Sequence, residues 1–462
     1  MGFFKAYDMR GTYGADFDLD TVCKVGAALP GVVSPGVERP RWLVGRDCRV
    51  TSEDVRDALV KGLSEAGADV RDLGPCTTPM VYFFTAQDGY DGSVMVTASH
   101  NPPSDNGLKV SMRTALPVGY ANGLDKVERL AMAGAKAEQA AGGRAPDVHC
   151  RKTPDPDALE RYVAWQKAAT DDARFAGLRY AVDCSNGMSS LLARELFPGA
   201  IVVNDVLDGR FPAHSPNPLK AEARDQIAAL VREKGLDCGV VFDGDADRAM
   251  FVDETGAFVQ PDYLIPVVAR ATLAAQGAKS AGRPRVLHDV RTSRGAIETL
   301  VEDGFEPSMV QVGHAFAKPA MRERGALCGG ELAGHYYFSE FFGCDSGVLA
   351  ARRILSEIAK AKESGLSFGA MMRPIVSRYA NSGEMNFKVD DKDLAIERVL
   401  GVARAFGPET ARSDIDGVRL EFEDGWINVR KSNTEPYLRL IVERRGDLAP
   451  WVDALKGAID AR

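Results

Sequence analysis

This 462-residue chain has no C-x-x-C pair and no cysteine–histidine spacing of the kind that holds zinc. Its eight cysteines (Cys23, Cys48, Cys76, Cys150, Cys184, Cys238, Cys328 and Cys344) stand far apart, which predicts reduced thiols in a cytoplasmic protein rather than a disulfide framework. Neither G-x-G-x-x-G nor a Walker lysine motif occurs, so no nucleotide is implied. There is no long apolar run: the most apolar stretch, Tyr263 to Gln276, is broken by Arg270 and is too short to cross a bilayer. The opening residues do not read as a secretion signal, because Asp8 and Arg10 follow at once, and Ala6 lacks the hydroxyl that a myristoylation site demands. Nor is there a surplus of positive charge. The formal net charge is −8 with the two signs interspersed, which argues against a nucleic-acid partner. That balance also repels anions overall, so any phosphate site has to be assembled locally from Arg, Lys, backbone N–H groups or a metal ion.

What is present is a strand–helix rhythm. The chain is too long for one core, which predicts two to four domains. Arg41 to Gly45, Asp69 to Leu73 and Ser93 to Val96 read as strands. Thr51 is placed to cap a helix that buries Val55, Leu59 and Leu63 and stops at Gly67. The Ala- and Gly-rich stretch Ala131 to Pro146 reads as a helix and linker. A second α/β unit has strands at Leu178 to Val182, Ile201 to Val203 and Cys238 to Phe242, with helices at Met188 to Phe197 and Ala223 to Lys234. A third has strands at Arg285 to Val290 and Ser308 to Val312 around a helix from Ser293 to Asp303, and further helices centre on Ala320 and Arg352 to Ala361. Three units of similar length suggest a structural repeat without a residue-level one. The tail differs: Val418 to Phe422 and Trp426 to Val429 flank Asp424-Gly425 as a hairpin, a strand Tyr437 to Val442 follows, and a helix Pro450 to Ala461 closes the chain. The predicted domains are 1–150, 151–253, 254–369 and 370–462.

Four stretches can carry chemistry. Asp243-Gly244-Asp245-Ala246-Asp247-Arg248 sets three carboxylates at alternate positions, and glycine lets the loop curl so that their oxygens converge. Unpaired they would repel one another, which a hard divalent cation resolves. A solvated acidic turn is the plainer reading. An EF-hand fails because Arg248 stands where that loop needs glycine and strands flank it; Mg²⁺ suits best. Thr97-Ala98-Ser99-His100-Asn101-Pro102-Pro103 places a serine at a strand end, in a loop stiffened by prolines, with Lys109 ten residues on. That suits a phosphate-carrying serine and equally an ordinary polar turn. Arg430-Lys431-Ser432-Asn433-Thr434-Glu435-Pro436 suits a phosphate cradle or a charged hairpin loop. Gly329-Gly330-Glu331-Leu332-Ala333-Gly334-His335 suits sugar hydroxyls or a glycine-rich turn, and His314 after Gly313 is a lone histidine at a strand end.

Together these blocks resemble the α-D-phosphohexomutase family, specifically its phosphomannomutase/phosphoglucomutase members. The likeness covers essentially the whole chain in the right order, with Tyr7-Asp8-Met9-Arg10-Gly11 as an N-terminal signature. It implies three related α/β domains with mixed sheets and a smaller C-terminal α+β domain around a central cleft. It further implies a phosphoserine at Ser99, with Mg²⁺ held by Asp243, Asp245, Asp247 and the Ser99 phosphate. Lys109 would serve as general acid/base, with Arg10 and Arg248 near the transferring phosphate and His100 in support. Glu331 and His335 would hold sugar hydroxyls, and Arg430, Ser432, Asn433 and Thr434 the distal phosphate. Tyr7, Arg291 and His314 fall at further cleft positions. Three departures stand out. Ala333 replaces a customary serine, Arg291 a common lysine, and His214-Ser215-Pro216-Asn217-Pro218 keep only part of the family's loop.

The resemblance predicts interconversion of hexose 1-phosphate and hexose 6-phosphate, of mannose or glucose type, through a hexose 1,6-bisphosphate that also primes the enzyme. A last domain closing over the substrate would keep water out. An amino-sugar phosphate mutase, a non-catalytic sugar-phosphate binder and a simple Mg²⁺ phosphatase are the rivals. A cytoplasmic monomer or weak homodimer acting on small sugar phosphates, with no membrane partner, is expected.

Overall fold

The computed structural model describes residues 2–133, 150–151, 157–277, 282–432 and 436–460. Four sheets follow one another along the chain. In the first, Arg41–Arg46 pairs in parallel with Asp69–Pro75 on one side and Gly92–Val96 on the other, and Asp105–Met112 then runs antiparallel to Gly92–Val96. The second repeats the pattern. Tyr180–Asp183 lies parallel between Ile201–Val203 and Cys238–Phe242, and Ala249–Asp253 returns antiparallel. So does the third, with Arg285–Asp289 between Glu306–Val310 and Cys328–Gly330, and Tyr336–Phe338 returning. The repeat suggested by unit length is therefore a repeat of topology.

The consequence for function is positional. The Ser99 loop, the Asp243 to Asp247 loop and the Glu331 to His335 loop each join the last parallel strand of a unit to its antiparallel return. Three equivalent turns thus present the three motifs. The strands that feed them are wholly buried (Gly92–Val96, Cys238–Phe242, Cys328–Gly330), as expected for central strands covered on both faces.

Helices cover the sheets where small residues allow it. Leu19–Val33 and Ser52–Glu65 cross so closely that a Cβ on Gly62 would lie 2.0 Å from the Cys23 carbonyl oxygen, and one on Gly26 2.5 Å from that of Leu59. A single apolar core runs through the first three units, from Leu43 and Phe83 by way of Phe242 to Phe338 and Ile354. The fourth unit has an antiparallel sheet and its own core around Trp451, Val429 and Leu440. It joins the third through Arg419, which donates to the carbonyls of Val290 and Thr292, and Arg294, which pairs with Glu421.

Local readings needed correction in three places. Thr51 starts its helix without a side-chain cap bond, because its hydroxyl instead accepts from Asn106. Met188 to Phe197 is a 3-10 turn Met188–Leu191 followed by one helical turn Ala193–Leu196. The helix read from Ala131 is in fact Leu124–Met132, and the rest of that stretch to Pro146 lies outside the described residues apart from Ala133. Among the described residues no helix is long and apolar enough to cross a membrane.

Candidate active site

Ser99 is buried, and its backbone takes the left-handed conformation (φ +51°) that L side chains rarely adopt. This turn sends its Oγ across to the second unit, where it donates to Asp243 Oδ2 at 3.0 Å, with the Arg248 guanidinium at 3.4 Å. The His100 Nδ1 lies 3.2 Å from the same Oγ. Burial, with Arg248 and Arg10 nearby, holds His100 well below the usual imidazole range, so it stands neutral beside the serine.

The carboxylates converge as the spacing of the aspartates predicts. Asp243, Asp245 and Asp247 each bring one oxygen within 4.8 Å of the others, and all three are buried. Burial and Asp247 push the Asp243 carboxyl up. Burial opposes the charge of Asp245 and Asp247, yet Lys109, joined by Thr78 at Asp245 and by His335 and Arg248 at Asp247, draws both carboxyls down. Lys109 reaches them from strand Asp105–Met112, paired at Met95, with its Nζ 2.7 Å from Asp245 Oδ2 and 2.5 Å from Asp247 Oδ2. Burial opposes its charge, yet the two carboxylates hold the ammonium protonated. Thr78, at the head of helix Thr78–Gln87, donates to Asp245 Oδ2 at 2.6 Å. Asp245 Oδ1 and Asp247 Oδ1 are buried without a hydrogen-bond partner. Orphaned hard-oxygen donors in a three-carboxylate cluster fit a divalent cation such as Mg²⁺.

Arg10 enters along strand Met9–Thr12, which lies against Asp105–Met112. Asp8 holds it at 2.6 Å, and it also reaches Asn101 Oδ1 at 3.3 Å. Its charge is thereby held at the edge of the Ser99 loop.

From the third unit come Glu331 and His335. His335 forms a backbone bridge with Arg248, so the sugar-type loop and the acidic loop are in register. Its Nδ1 sits 2.7 Å from Asp345, which Lys318 also contacts at 2.9 Å. Tyr337 donates to Glu331 Oε1 at 2.5 Å. His314 heads helix His314–Glu323, its ring 6.3 Å from that of His335; its buried Nδ1 finds no partner, and burial beside Lys318 keeps it neutral. Tyr7 packs edge-on to His314 and donates to the Val312 carbonyl.

Arg291 and Arg430 gather elsewhere, at the junction of the third and fourth units. With Arg439 they surround Glu384, at 3.5, 3.0 and 3.1 Å. Arg291 also lies 3.8 Å from Glu331, which ties this cationic group to the rest of the cleft. Ser432 lies just beyond strand Gly425–Lys431, its N–H on the Tyr437 carbonyl; Asn433 and Thr434 are outside the described residues.

Glu384 offers a test of this junction. Although burial opposes its charge, Arg291, Arg430 and Arg439 draw its carboxyl down to about 2. The unfolded group takes up a proton near 4.5 and the folded one near 2, so the contribution is fully present above about 4.5 and is lost as pH falls from there towards 2. Glu384→Gln is expected to be less stable than the parent by about 2–3 kcal/mol at neutral pH, with that gap closing below pH ~4.5. Denaturant melts of both proteins across that range read it out; a gap independent of pH would contradict the assignment.

Thr78, Asp345, Tyr337 and Glu384 were not read from the sequence as site residues. Only Thr77-Thr78-Pro79, an N-terminal helix signal with a second hydroxyl in it, carried any hint.

Comparison with known proteins bears directly on this geometry. Family models for the phosphoglucomutase/phosphomannomutase domains match residues 1–137 (alpha/beta/alpha domain I), 159–256 (domain II), 260–378 (domain III) and 384–459 (C-terminal domain). The chain belongs to this family. A curated protein of Xanthomonas campestris described as "Phosphohexose mutases" is 36% identical over 452 residues, 96% of each chain. The phosphomannomutase of Escherichia coli K12 is 35% identical over 463 residues, covering 98% of this chain and 96% of that protein. A crystal structure of a phosphoglucomutase/phosphomannomutase family protein from Burkholderia thailandensis superposes with a TM-score of 0.84 at 28% identity, over 99% and 98% of the two chains. The chain is therefore an enzyme of the phosphohexomutase class, acting on hexose phosphates, and its four sheets are the four domains of that family.

Proposed function

We propose that this enzyme interconverts the 1- and 6-phosphates of mannose or glucose by way of a phosphoserine at Ser99 and a hexose 1,6-bisphosphate. The observation that carries the reading is the meeting of Ser99 Oγ with Asp243 and Arg248 across two equivalent turns of neighbouring units. In the forward step the bond between phosphorus and Ser99 Oγ breaks as a new one forms to the free sugar hydroxyl. The hydroxyl loses its proton and Oγ gains one. Bound at Asp243, Asp245 and Asp247, Mg²⁺ would supply neutralisation of the phosphoryl charge. Arg248 adds fixed positive charge beside Oγ and Arg10 adds it at the edge of the same loop, where neither needs rearrangement as the reaction proceeds. Lys109, held protonated and buried, is suited to give a proton to Oγ and to take up the one that the sugar hydroxyl releases.

The bisphosphate then reverses in the cleft and returns its other phosphate to the serine. Glu331, oriented by Tyr337, and His335, oriented by Asp345, are suited to accept and donate hydrogen bonds to the hexose hydroxyls. Arg291 and Arg430 are suited to the distal phosphate, in exchange for Glu384. Ala333 offers no hydroxyl beside them, which removes one handle for telling hexoses apart.

The experiment is a side-by-side assay of mannose, glucose, glucosamine and N-acetylglucosamine 1-phosphates with Mg²⁺ and a trace of bisphosphate primer. Mannose or glucose 1-phosphate is expected to lead the amino sugars by about 10-fold or more in kcat/KM, since a buried polar group left unpaired discriminates strongly. Dominant release of free phosphate would point to a phosphatase instead. Glu331→Gln is expected to raise KM by roughly 10-fold for the preferred sugar, the effect of one hydrogen bond to a charged group.

A further inference from the structure

The turn after the first parallel strand of each α/β unit (Arg41–Arg46, Tyr180–Asp183 and Arg285–Asp289) shares a build of its own. Asp47, Asp183 and Asp289 each accept the backbone N–H two residues on, from Arg49 at 3.0 Å, Ser185 at 2.8 Å and Arg291 at 2.7 Å. In the first and third units that residue is an arginine whose guanidinium returns to the same aspartate. Arg291 goes on to Glu331 and Glu384. Arg49 does something else with its equivalent place.

All five guanidinium donors of Arg49 find partners. Nε meets Asp47 at 3.1 Å. Nη1 donates to the carbonyls of Pro102 (2.6 Å) and Asp105 (2.9 Å), and Nη2 to those of Ser99 (2.9 Å) and Asn101 (2.7 Å). Its side chain is wholly buried, with the Phe211 ring of the second unit 5.1 Å beneath it. Asp47 completes the arrangement from the other end. Its Oδ2 accepts from Thr97 Oγ1, which itself accepts the Ser99 N–H at 2.8 Å. The Ser99 peptide is thus gripped on its N–H side through Thr97 and on its carbonyl side by Arg49.

A serine at φ +51° persists only where its surroundings over-determine it. We propose that Arg49, oriented by Asp47, is the positioning residue that holds Ser99 in its left-handed turn and so aims its Oγ at Asp243 and Arg248. Lysine cannot substitute: one ammonium carries three donors and no planar fork, so it cannot span four carbonyls and an aspartate. The proposal rests on the reading of Ser99 as the phosphate carrier.

The test uses Arg49→Lys and, as a volume-conserving variant that keeps the acceptor for Thr97, Asp47→Asn. Each is compared with the parent in kcat, KM and rate of Ser99 labelling by bisphosphate primer, per folded molecule by circular dichroism. Arg49→Lys is expected to lose about 100-fold in kcat and in labelling rate, the scale of an ångström-level misplacement, with KM within threefold. Asp47→Asn is expected to lose about 10-fold, with the same split. If either folded variant labels at the parental rate, or if kcat falls only with the folded fraction, the positioning role is overturned. A parent that never labels at Ser99 would overturn the phosphoserine reading first, and this inference with it.

Discussion

Ser99→Ala is expected to lose mutase turnover by on the order of 10⁴-fold or more, because on the proposed mechanism it removes the oxygen that carries the phosphate. The carboxylate that meets the same Oγ, Asp243, is already paired with Arg248 in the acidic loop. The variant should remain folded, since Ser99 makes a single donor bond, to Asp243. Coupled assay of product isomer, with melting temperature as the control for folding, checks both halves. Turnover within tenfold of the parent would remove the serine from the mechanism.

Lys109→Met is expected to produce the second largest effect, and in two observables. Turnover should fall by about 10²–10⁴-fold, the range for a general acid or base. Stability in the absence of divalent ions should fall by about 3–5 kcal/mol, because the buried Asp245 and Asp247 would lose the ammonium that pairs with both. Mg²⁺ at about 100 times its Kd should restore about 2.7 kcal/mol by binding only the folded state. Melts with EDTA and with Mg²⁺ measure this directly. A variant no less stable than the parent in EDTA, or one that Mg²⁺ fails to restore, would contradict the placement of a divalent ion among these carboxylates.

Both predictions draw on residues that were legible in the sequence, for a physical reason. The acidic loop is a local signal: three aspartates at alternate positions with a glycine between them mark a place where carboxylates can converge. Strand and helix rhythm was legible for the same reason, since burial imposes its period on each element separately. The C-terminal hairpin turns at Asp424-Gly425 as that dipeptide predicts, with Val418–Glu421 paired to Gly425–Lys431.

What was not legible is the work of topology. Nothing near Thr78 points to Asp245, 167 residues on, nor anything near Asp345 to the ring it orients. Nothing around Glu384 in the sequence points to the three arginines from two units that close on it. Lys109 is visible in the sequence, but its seat is not: only the pairing of Asp105–Met112 with Gly92–Val96 and Met9–Thr12 fixes where the ammonium points. The motif at Arg430 suits a phosphate cradle or a charged hairpin loop, and the structure adds the Glu384 carboxylate seated on its arginine. Equivalence of the three turns was also hidden, because the units share hydrogen-bond pattern and not residues.

The central claim is that this enzyme carries its phosphate on Ser99. Incubation with hexose 1,6-bisphosphate and Mg²⁺, followed by intact mass and peptide mapping, tests it most directly. The expected result is one phosphate per chain, on the peptide containing Ser99, lost on addition of excess hexose monophosphate as bisphosphate forms. An unmodified chain that still turns over substrate, or a phosphate on any other residue, would contradict it.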